Sequence, residues 1–303
     1  MDPLSPKFLI LYVFVGCAIY VHFRGKERLK FTRQLTDHST FMAPYNVLAY
    51  LFSAVPNEPI LPREAFPELD VLRDNWRSIR EEALRLQGEG RIRRSDRYDD
   101  LAFNSFFKRG WKRFYLKWYG ECLPSAKREC PETVRLLEQV PSVKAAMFAL
   151  LAPDSRLVRH RDPFAGSLRY HLGLSTPNSD LCRIFIDGQP YAWKDGEDIV
   201  FDETYIHRAE NRTDEPRIIF FCDVERPMRF GLPAVINRFV GRFLVSGATT
   251  RNEPQERIGF LNWIFGGLYH LRLVAKKVKG WNQPAYYGLK FVLLGLALYL
   301  VLA

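Results

Sequence analysis

Between Ser142 and Val224 the sequence alternates short apolar runs with segments that favour turns. The runs are rich in β-branched and aromatic residues, as in RIIFFCDV at 217–224. The turn segments read Pro-Asp, Pro-Asn-Ser-Asp, Asp-Gly-Gln-Pro and Asp-Gly-Glu-Asp. Several short strands at this spacing are typical of an all-β sandwich or barrel. We therefore predict a mainly β core over about 142–224, with helices packed at one side.

Two segments before this core have helical patterns. Apolar residues recur at helical spacing over 67–88, with mixed charges between them, and glycines at 88 and 90 mark the end of the helix. A polar, basic loop is predicted from there to Arg97. A short helix is predicted over 133–140.

Both ends of the chain are strongly apolar. The segment from Leu4 to Phe23 is long enough to cross the hydrocarbon core of a bilayer as one helix. A signal peptide is the alternative, but this segment lacks a basic start and a small-x-small cleavage site. The segment from Tyr286 to Ala303 carries one charge, Lys290, near its start, so we predict a short second span or a re-entrant anchor.

Basic residues next to both apolar segments predict the orientation and the division of the chain. The first segment is followed by one acidic residue and by Arg24, Lys26, Arg28, Lys30 and Arg33. By the positive-inside tendency the central region stays in the cytoplasm. We assign 1–24 and 286–303 to transmembrane anchors, 25–235 to a cytoplasmic domain and 236–285 to an amphipathic segment. Within the last, 258–274 is predicted as an interfacial helix, the alternative being a helix buried against the domain.

Charge and cysteine content limit the possible binding partners and the possible cellular compartment. The chain has 44 Lys and Arg against 34 Asp and Glu, a net charge of +10. This charge suits a phospholipid surface, a phosphorylated glycolipid or nucleic acid. Nothing except the net charge supports nucleic acid, so we expect none. The five cysteines form no C-x-x-C pair, which favours free thiols in a reducing compartment.

Three of the six histidines fall inside the predicted β core. In His160-Arg161-Asp162 the outer two residues point to the same face of a strand, so His160 and Asp162 can hold one ion. Taken alone, His-x-Asp is weak evidence. Together with His207, two imidazoles and one carboxylate leave one face of an octahedral ion open, the arrangement of non-haem Fe(II) oxygenases. An iron site at these three residues is the prediction.

Two arginines accompany the histidines. Arg169 and His171 form a second same-face pair, for which the alternative is a polar edge of the sheet. A hairpin folded around 212–214 is predicted to set Arg217 opposite His207 on the neighbouring strand. The planar fork of arginine holds a carboxylate at two points better than lysine does. Arg217 is therefore predicted to bind a carboxylate beside the metal.

The core resembles the aspartyl/asparaginyl β-hydroxylase family of Fe(II)/2-oxoglutarate oxygenases in a series of ordered motifs. These are HRDPFAGSLRYHLGL at 160–174, Trp193, Gly196, FDETYIHRAENRTDEPR at 201–217 and Asp223. The resemblance implies a double-stranded β-helix, the cupin-like jelly roll, which agrees with the strand pattern. Flanking helices and the two membrane helices complete the expected fold.

The resemblance also implies roles for single residues. His160, Asp162 and His207 would be the ligands of Fe(II). Arg217 would bind the distal carboxylate of 2-oxoglutarate, with Arg169 and His171 assisting, and O2 would be the other co-substrate. Better-known animal members have glycine in place of the acidic ligand, so Asp162 makes this a fuller triad.

Within the family, the apolar ends and the basic middle are most similar to bacterial inner-membrane enzymes that hydroxylate lipid A. We therefore expect hydroxylation of a fatty acyl chain of lipid A at the cytoplasmic face of that membrane, with lipid A and phospholipid as partners. Basic residues that could meet its phosphates are Arg91, Arg93, Arg94, Lys108, Arg109, Lys112 and Arg113. Two alternatives are hydroxylation of protein Asp or Asn side chains and a non-catalytic, membrane-anchored cupin-like binding protein.

Overall fold

The computed structural model describes residues 5–95, 100–101 and 103–302 of the chain. Leu4, Arg97 and Ala303, at which predicted segments begin or end, lie outside the described residues. The helices are α1 (Pro6–Phe23), α2 (Phe31–Gln34), α3 (His38–Phe41), α4 (Ala43–Leu51), α5 (Asp70–Asp74), α6 (Trp76–Gly88), α7 (Pro124–Glu129), α8 (Pro131–Glu138), α9 (Gly231–Val240), α10 (Phe260–Trp281) and α11 (Gln283–Leu302).

The strands form two antiparallel sheets. They are β1 (Ile60–Leu61), β2 (Trp111–Trp118), β3 (Val143–Leu151), β4 (Ser155–His160), β5 (Ser167–Ser175), β6 (Cys182–Ile186), β7 (Gln189–Ala192), β8 (Asp198–Phe201), β9 (His207–Asn211) and β10 (Arg217–Glu225). One sheet has the order β1-β8-β5-β10-β3-β2 and the other has the order β4-β9-β6-β7.

Strands β3 to β10 pair in a nested order. The hairpin β6–β7 lies innermost, and around it β5 pairs with β8, β4 with β9 and β3 with β10. Nested antiparallel pairs that alternate between two sheets are the topology of a jelly roll. The predicted mainly β jelly roll is therefore confirmed.

Helices cover the outer face of the larger sheet. The central strands β5 and β10 are buried along almost their whole length. Helix α6 packs against β5 and buries Ile79, Ala83 and Leu86. The helix predicted over 67–88 is confirmed, with a break at Asn75 between α5 and α6. The helix predicted at 133–140 lies two residues earlier, at Pro131–Glu138; proline is suited to the first helical position because it loses no hydrogen bond there.

Strand β2 lies outside the predicted β core and extends the larger sheet beside β3. Its sequence, WKRFYLKW, mixes basic and aromatic residues, so it lacks a clear alternation of apolar and polar positions. The side chain of Arg113 is buried, and its Nε donates to Oδ2 of Asp100 at 3.0 Å. The prediction that Arg113 faces phosphates is therefore wrong.

Helix α1 is the one helix of the described residues that is long and apolar enough to cross a membrane, with a mean hydropathy of 1.7 and 6% of the span buried. The predicted apolar N-terminal helix is thus confirmed. At the other end, the helix predicted over 258–274 forms as α10 and continues to Trp281. Helix α11 occupies the predicted second anchor, and its insertion into a membrane stays a prediction.

Candidate active site

A cavity of about 40 Å³ lies between the two sheets. Its polar lining consists of His160, Asp162, Arg169, His171, His207 and Arg217. Its apolar lining consists of Phe103, Phe106, Trp111, Leu157, Ile184, Trp193, Phe201, Ala209 and Phe221. The structure therefore brings together all six residues that the sequence predicted for the site.

Two histidines and one aspartate form a compact group in this cavity. The possible ligand atoms of His160, Asp162 and His207 all lie within 4.8 Å of one another. Strands β4 and β9 pair so that His160 lies opposite His207, with ring centroids 4.2 Å apart. Asp162 lies beyond the end of β4, so the predicted placement on one strand with His160 is wrong. Its backbone N–H donates to the carbonyl of Glu203 at 2.9 Å, which holds the loop in place.

Hydrogen bonds to the backbone orient both imidazoles. The Nδ1 of His160 donates to the carbonyl of Val158 at 2.7 Å, and the Nδ1 of His207 donates to the carbonyl of Tyr205 at 3.0 Å. A carbonyl can only accept, so each Nδ1 carries a proton and each Nε2 keeps its lone pair. Burial lowers the pKa of His160 and, with the adjacent His160 adding to the effect, lowers the pKa of His207 to about 3. Both rings are neutral at pH 7, as metal ligands must be.

Arg169 holds the aspartate of this group. Its Nη2 donates to Oδ2 of Asp162 at 2.7 Å and also contacts Glu203, while its Nη1 lies 2.9 Å from Oδ1 of Asp223. Burial opposes ionisation of Asp162, but Arg169 holds the pKa of that carboxyl below its usual range. Burial raises the pKa of Asp223. Arg169 was predicted to assist 2-oxoglutarate, and its contacts instead suit it to fixing Asp162.

Arg217 is buried without a polar partner. Its side chain is 1% exposed, and Nε, Nη1 and Nη2 make no hydrogen bond to any described residue. The guanidinium stacks on the ring of Trp193, 4.2 Å from its centroid. Burial lowers the pKa of Arg217 to about 10, so it is still charged at pH 7. A buried, unpaired cation at a cavity wall fits a ligand that carries a negative charge.

The route by which Arg217 reaches the cavity differs from the prediction. Strands β9 and β10 do not pair: β9 lies between β4 and β6, whereas β10 lies between β3 and β5. The chain crosses from one sheet to the other at 212–216, so the predicted hairpin is wrong. His207 and Arg217 still line one cavity because the two sheets face each other across it.

His171 is the second polar group beside Arg217. The Nε1 of Trp193 donates to its Nδ1 at 3.4 Å, so its proton lies on Nε2. That Nε2 is buried without a hydrogen-bond partner among the described residues. Burial, aided by Arg169 and Arg217, holds the pKa of His171 well below its usual range. The ring is therefore a neutral hydrogen-bond donor at the cavity wall.

Sequence reasoning assigned no role to the acidic residues behind the site. Glu203 receives hydrogen bonds from Arg169 and Ser167, and Asp223 receives one from the hydroxyl of Tyr119 at 3.1 Å. Asp223 lies opposite Arg169 in the register of β10 and β5. Once that pairing is known, Asp223 follows as a partner of Arg169, but the sequence alone does not reveal the register.

The fold and the cavity define a jelly-roll protein with a candidate metal centre, and comparisons with known proteins give its family. Residues 73–227 match the family model of aspartyl/asparaginyl β-hydroxylase. The chain belongs to this family of hydroxylases.

Two relatives and one solved structure illustrate the comparisons. An ornithine lipid ester-linked acyl 2-hydroxylase of Rhizobium tropici is 30% identical over 59% of this chain and 64% of its own. The human aspartate β-hydroxylase domain-containing protein 2 is 33% identical over 39% of this chain and 34% of its own. The match thus spans less than two thirds of either relative. A prolyl-4-hydroxylase structure from Pseudomonas putida is 18% identical over 51% of this chain and 87% of its own, with a TM-score of 0.34.

Proposed function

We propose that the chain is an Fe(II)- and 2-oxoglutarate-dependent hydroxylase of a fatty acyl chain of lipid A, at the cytoplasmic face of the bacterial inner membrane. One observation carries the proposal: two neutral histidines and the carboxylate of Asp162 share a cavity with the unpaired guanidinium of Arg217. The first suits a divalent metal, and the second suits the free carboxylate of a dicarboxylic co-substrate.

The donor set fits Fe(II). His160 and His207 direct unprotonated Nε2 atoms inward, and Asp162 adds a carboxylate that Arg169 keeps ionised and fixed. Bound Fe(II), with 2-oxoglutarate and O2, supplies the oxidising chemistry that hydroxylates an unactivated C–H bond.

Arg217 and His171 would hold the co-substrate. The guanidinium of Arg217 offers a fork of donors to its distal carboxylate, and the Nε2 of His171 offers one more. The apolar walls exclude water from these charged contacts, which strengthens them. Arg169 would act on the co-substrate only indirectly, through Asp162.

The lipid part of the proposal has separate support. The Rhizobium tropici relative is named for an acyl chain of a membrane lipid. Helix α1 gives this chain a candidate anchor, and the cavity lining is mostly aromatic and aliphatic. The names of the human relatives favour a protein Asp or Asn side chain as the second candidate substrate. Because the chain belongs to a family of hydroxylases, the third alternative, a non-catalytic binding protein, is disfavoured.

Mass spectrometry of cellular lipids tests the substrate. We expect lipid A from cells that express the chain to carry one additional acyl oxygen, and cells that express Asp162→Ala to lack it. Gain of the oxygen in an ornithine lipid, or in a peptide, would replace lipid A with that substrate. If lipid A, the ornithine lipid and peptides all lack the additional oxygen, the proposed reaction is contradicted.

The metal assignment has its own test on purified protein. We expect His160→Ala and His207→Ala each to abolish the spectral change that Fe(II) and 2-oxoglutarate produce together under anaerobic conditions, because each removes one of three ligands. Lys194→Ala, an exposed position outside the cavity, is the control and should match the unmodified protein. Full spectral change in both histidine variants would move the metal elsewhere.

A further inference from the structure

Helix α9 presents an apolar face to the outside of the molecule. Leu232, Val235 and Phe239 are 72%, 60% and 60% exposed. The opposite side of the helix is fixed to the domain, where Nδ2 of Asn237 donates to the carbonyl of Gly166 at 2.9 Å. The helix is therefore firmly seated while its apolar side remains uncovered by the described residues. Exposed apolar surface of this kind marks an interaction site.

Helix α4 connects this face to α1. On one side, the hydroxyl of Tyr45 donates to Oδ1 of Asn237 at 2.6 Å. Phe52, directly after α4, packs edge-on against Phe230 at the start of α9, with centroids 6.1 Å apart. On the other side, α4 packs against the last turns of α1 in a cluster of Cys17, Ala18, Val21, Ala43, Val47, Ala49 and Tyr50.

These contacts set the depth of α4 relative to a membrane. Cys17 lies six residues before the end of α1, which is roughly 9 Å of helix at about 1.5 Å per residue. If α1 crosses the bilayer, α4 packs against the part of α1 that lies in the leaflet on the side of Phe23. Phe41, the last residue of α3, and Leu51, the last residue of α4, are each 68% exposed. The apolar surface of α9 is thus continuous with elements held at that depth.

The domain is also fixed to the end of α1. The Nη2 of Arg24 lies 2.6 Å from Oδ2 of Asp202, and both side chains are buried. The Nη1 of Arg161 donates to the carbonyl of Val21, in the last turn of α1, at 2.5 Å. Because Arg161 lies between His160 and Asp162, the candidate metal site has a fixed position relative to α1.

The charge around α9 fits an anionic surface. From Pro227 to Asn252 the sequence contains no aspartate or glutamate and four arginines: Arg229, Arg238, Arg242 and Arg251. Arg238 is paired with Glu225, whose Oε1 lies 3.0 Å from its Nε, and the other three add to the positive charge of this segment. An apolar helical face flanked by arginines is the pattern of helices that lie in the membrane interface, where anionic headgroups attract the positive charges.

We propose that α9 lies in the membrane interface, with Leu232, Val235 and Phe239 among the acyl chains of the leaflet that α1 leaves at Phe23. The inference rests on the membrane-bound part of the proposed function and is independent of its substrate. It holds the jelly roll against the bilayer at two places, α1 and α9. The candidate active site is then fixed close to the leaflet that contains acyl chains.

Spin labels on the full-length chain in phosphatidylethanolamine–phosphatidylglycerol vesicles test this placement. Cys17→Ala removes the half-buried cysteine, and the other four are buried. Labels are introduced with Val235→Cys and Phe239→Cys, with Val13→Cys in α1 as the reference for a lipid position and Lys194→Cys as the reference for water. We expect labels at 235 and 239 to be reached by oxygen and shielded from a polar nickel complex, as at 13 and unlike at 194.

Each outcome separates the inference from the proposed anchor. A lipid signal at 13 with an aqueous signal at 235 and 239 would overturn the placement of α9 while α1 remains a span. An aqueous signal at 13 would overturn the anchor and the inference together. Spin–spin broadening at 235 or 239 would show that two labels lie close together. If dilution with unlabelled protein removes the broadening, a second copy of the chain covers α9, and the placement of α9 in the membrane would also be overturned.

Discussion

Arg217 is the side chain whose environment is hardest to explain without a ligand. A buried donor with no partner costs about 1–3 kcal/mol, and a charged one costs more. Stacking on Trp193 offsets part of that cost. Such a group is retained where a bound carboxylate accepts its hydrogen bonds. A substitution that removes the charge should therefore increase stability and weaken binding.

Arg217→Met should raise the free energy of unfolding of the ligand-free protein by at least about 1 kcal/mol and abolish binding of 2-oxoglutarate, because it removes the buried charge and keeps the bulk. Arg217→Lys is the matched variant: it keeps the charge, so stability should not rise, and loss of the fork should weaken binding by about 1–3 kcal/mol. Denaturant unfolding and co-substrate titration measure the two effects. A Met variant that is less stable and still binds would refute this role.

The sequence revealed the side chains that line the cavity better than the residues that hold them in place. His160, His207 and Arg217 could be found because histidine and arginine are uncommon inside β cores and because all three stand in the motifs that carry the family resemblance. Asp162 was found by the same rule, although it lies in a loop beyond β4. The roles of Glu203 and Asp223 could not be found, although Asp223 is among the residues that carry the resemblance, because both roles depend on contact with Arg169 and that contact depends on the register between strands.

At the scale of elements, the strand pattern predicted a β sandwich or barrel and the family resemblance implied the jelly roll, but neither gave the partner of each strand. A turn at 212–216 satisfies a hairpin and a crossing between sheets equally well in sequence, and the structure has the crossing. In strand β5, a close backbone contact fixes the neighbouring 194–197 segment. Its Gly173 donates to the carbonyl of Glu197 at 2.9 Å, and a Cβ added there would lie 1.9 Å from the carbonyl oxygen of Lys194.

Gly173→Ala should therefore destabilise the fold by about 1–3 kcal/mol or more, since the added methyl group meets backbone that cannot rotate away. Gly88→Ala, at the end of α6, is the control, because a Cβ there meets nothing within 4 Å. Its stability should be unchanged or slightly higher, since alanine favours a helix. Thermal unfolding followed by circular dichroism compares the two. Equal midpoints would show that the 194–197 segment yields more easily than its packing indicates.

At the scale of the whole molecule, one buried carboxylate connects α1 to the jelly roll. Asp202, in the loop after β8, lies 2.6 Å from Nη2 of Arg24 and 2.7 Å from Nη2 of Arg226. The guanidinium of Arg24 also lies over the rings of Tyr50 and Tyr205, at 3.9 and 3.8 Å from their centroids. Removal of the carboxylate charge leaves two buried cations without a counter-charge.

Asp202→Asn should consequently lower the free energy of unfolding at pH 7 by about 3–5 kcal/mol. Burial opposes ionisation of Asp202, but Arg226 and Arg24 hold its pKa far below the usual range. The carboxylate therefore stabilises the fold fully above the unfolded pKa of about 3.9, and this contribution is lost as the pH falls below that value. The difference between the unmodified protein and Asp202→Asn should thus be largest at neutral pH and shrink in acid.

Urea unfolding of the full chain in detergent at several pH values measures this difference, with the exposed Asp180→Asn as the control. A difference that is small at pH 7, or that grows in acid, would mean that the two arginines do not depend on Asp202 for their charge balance.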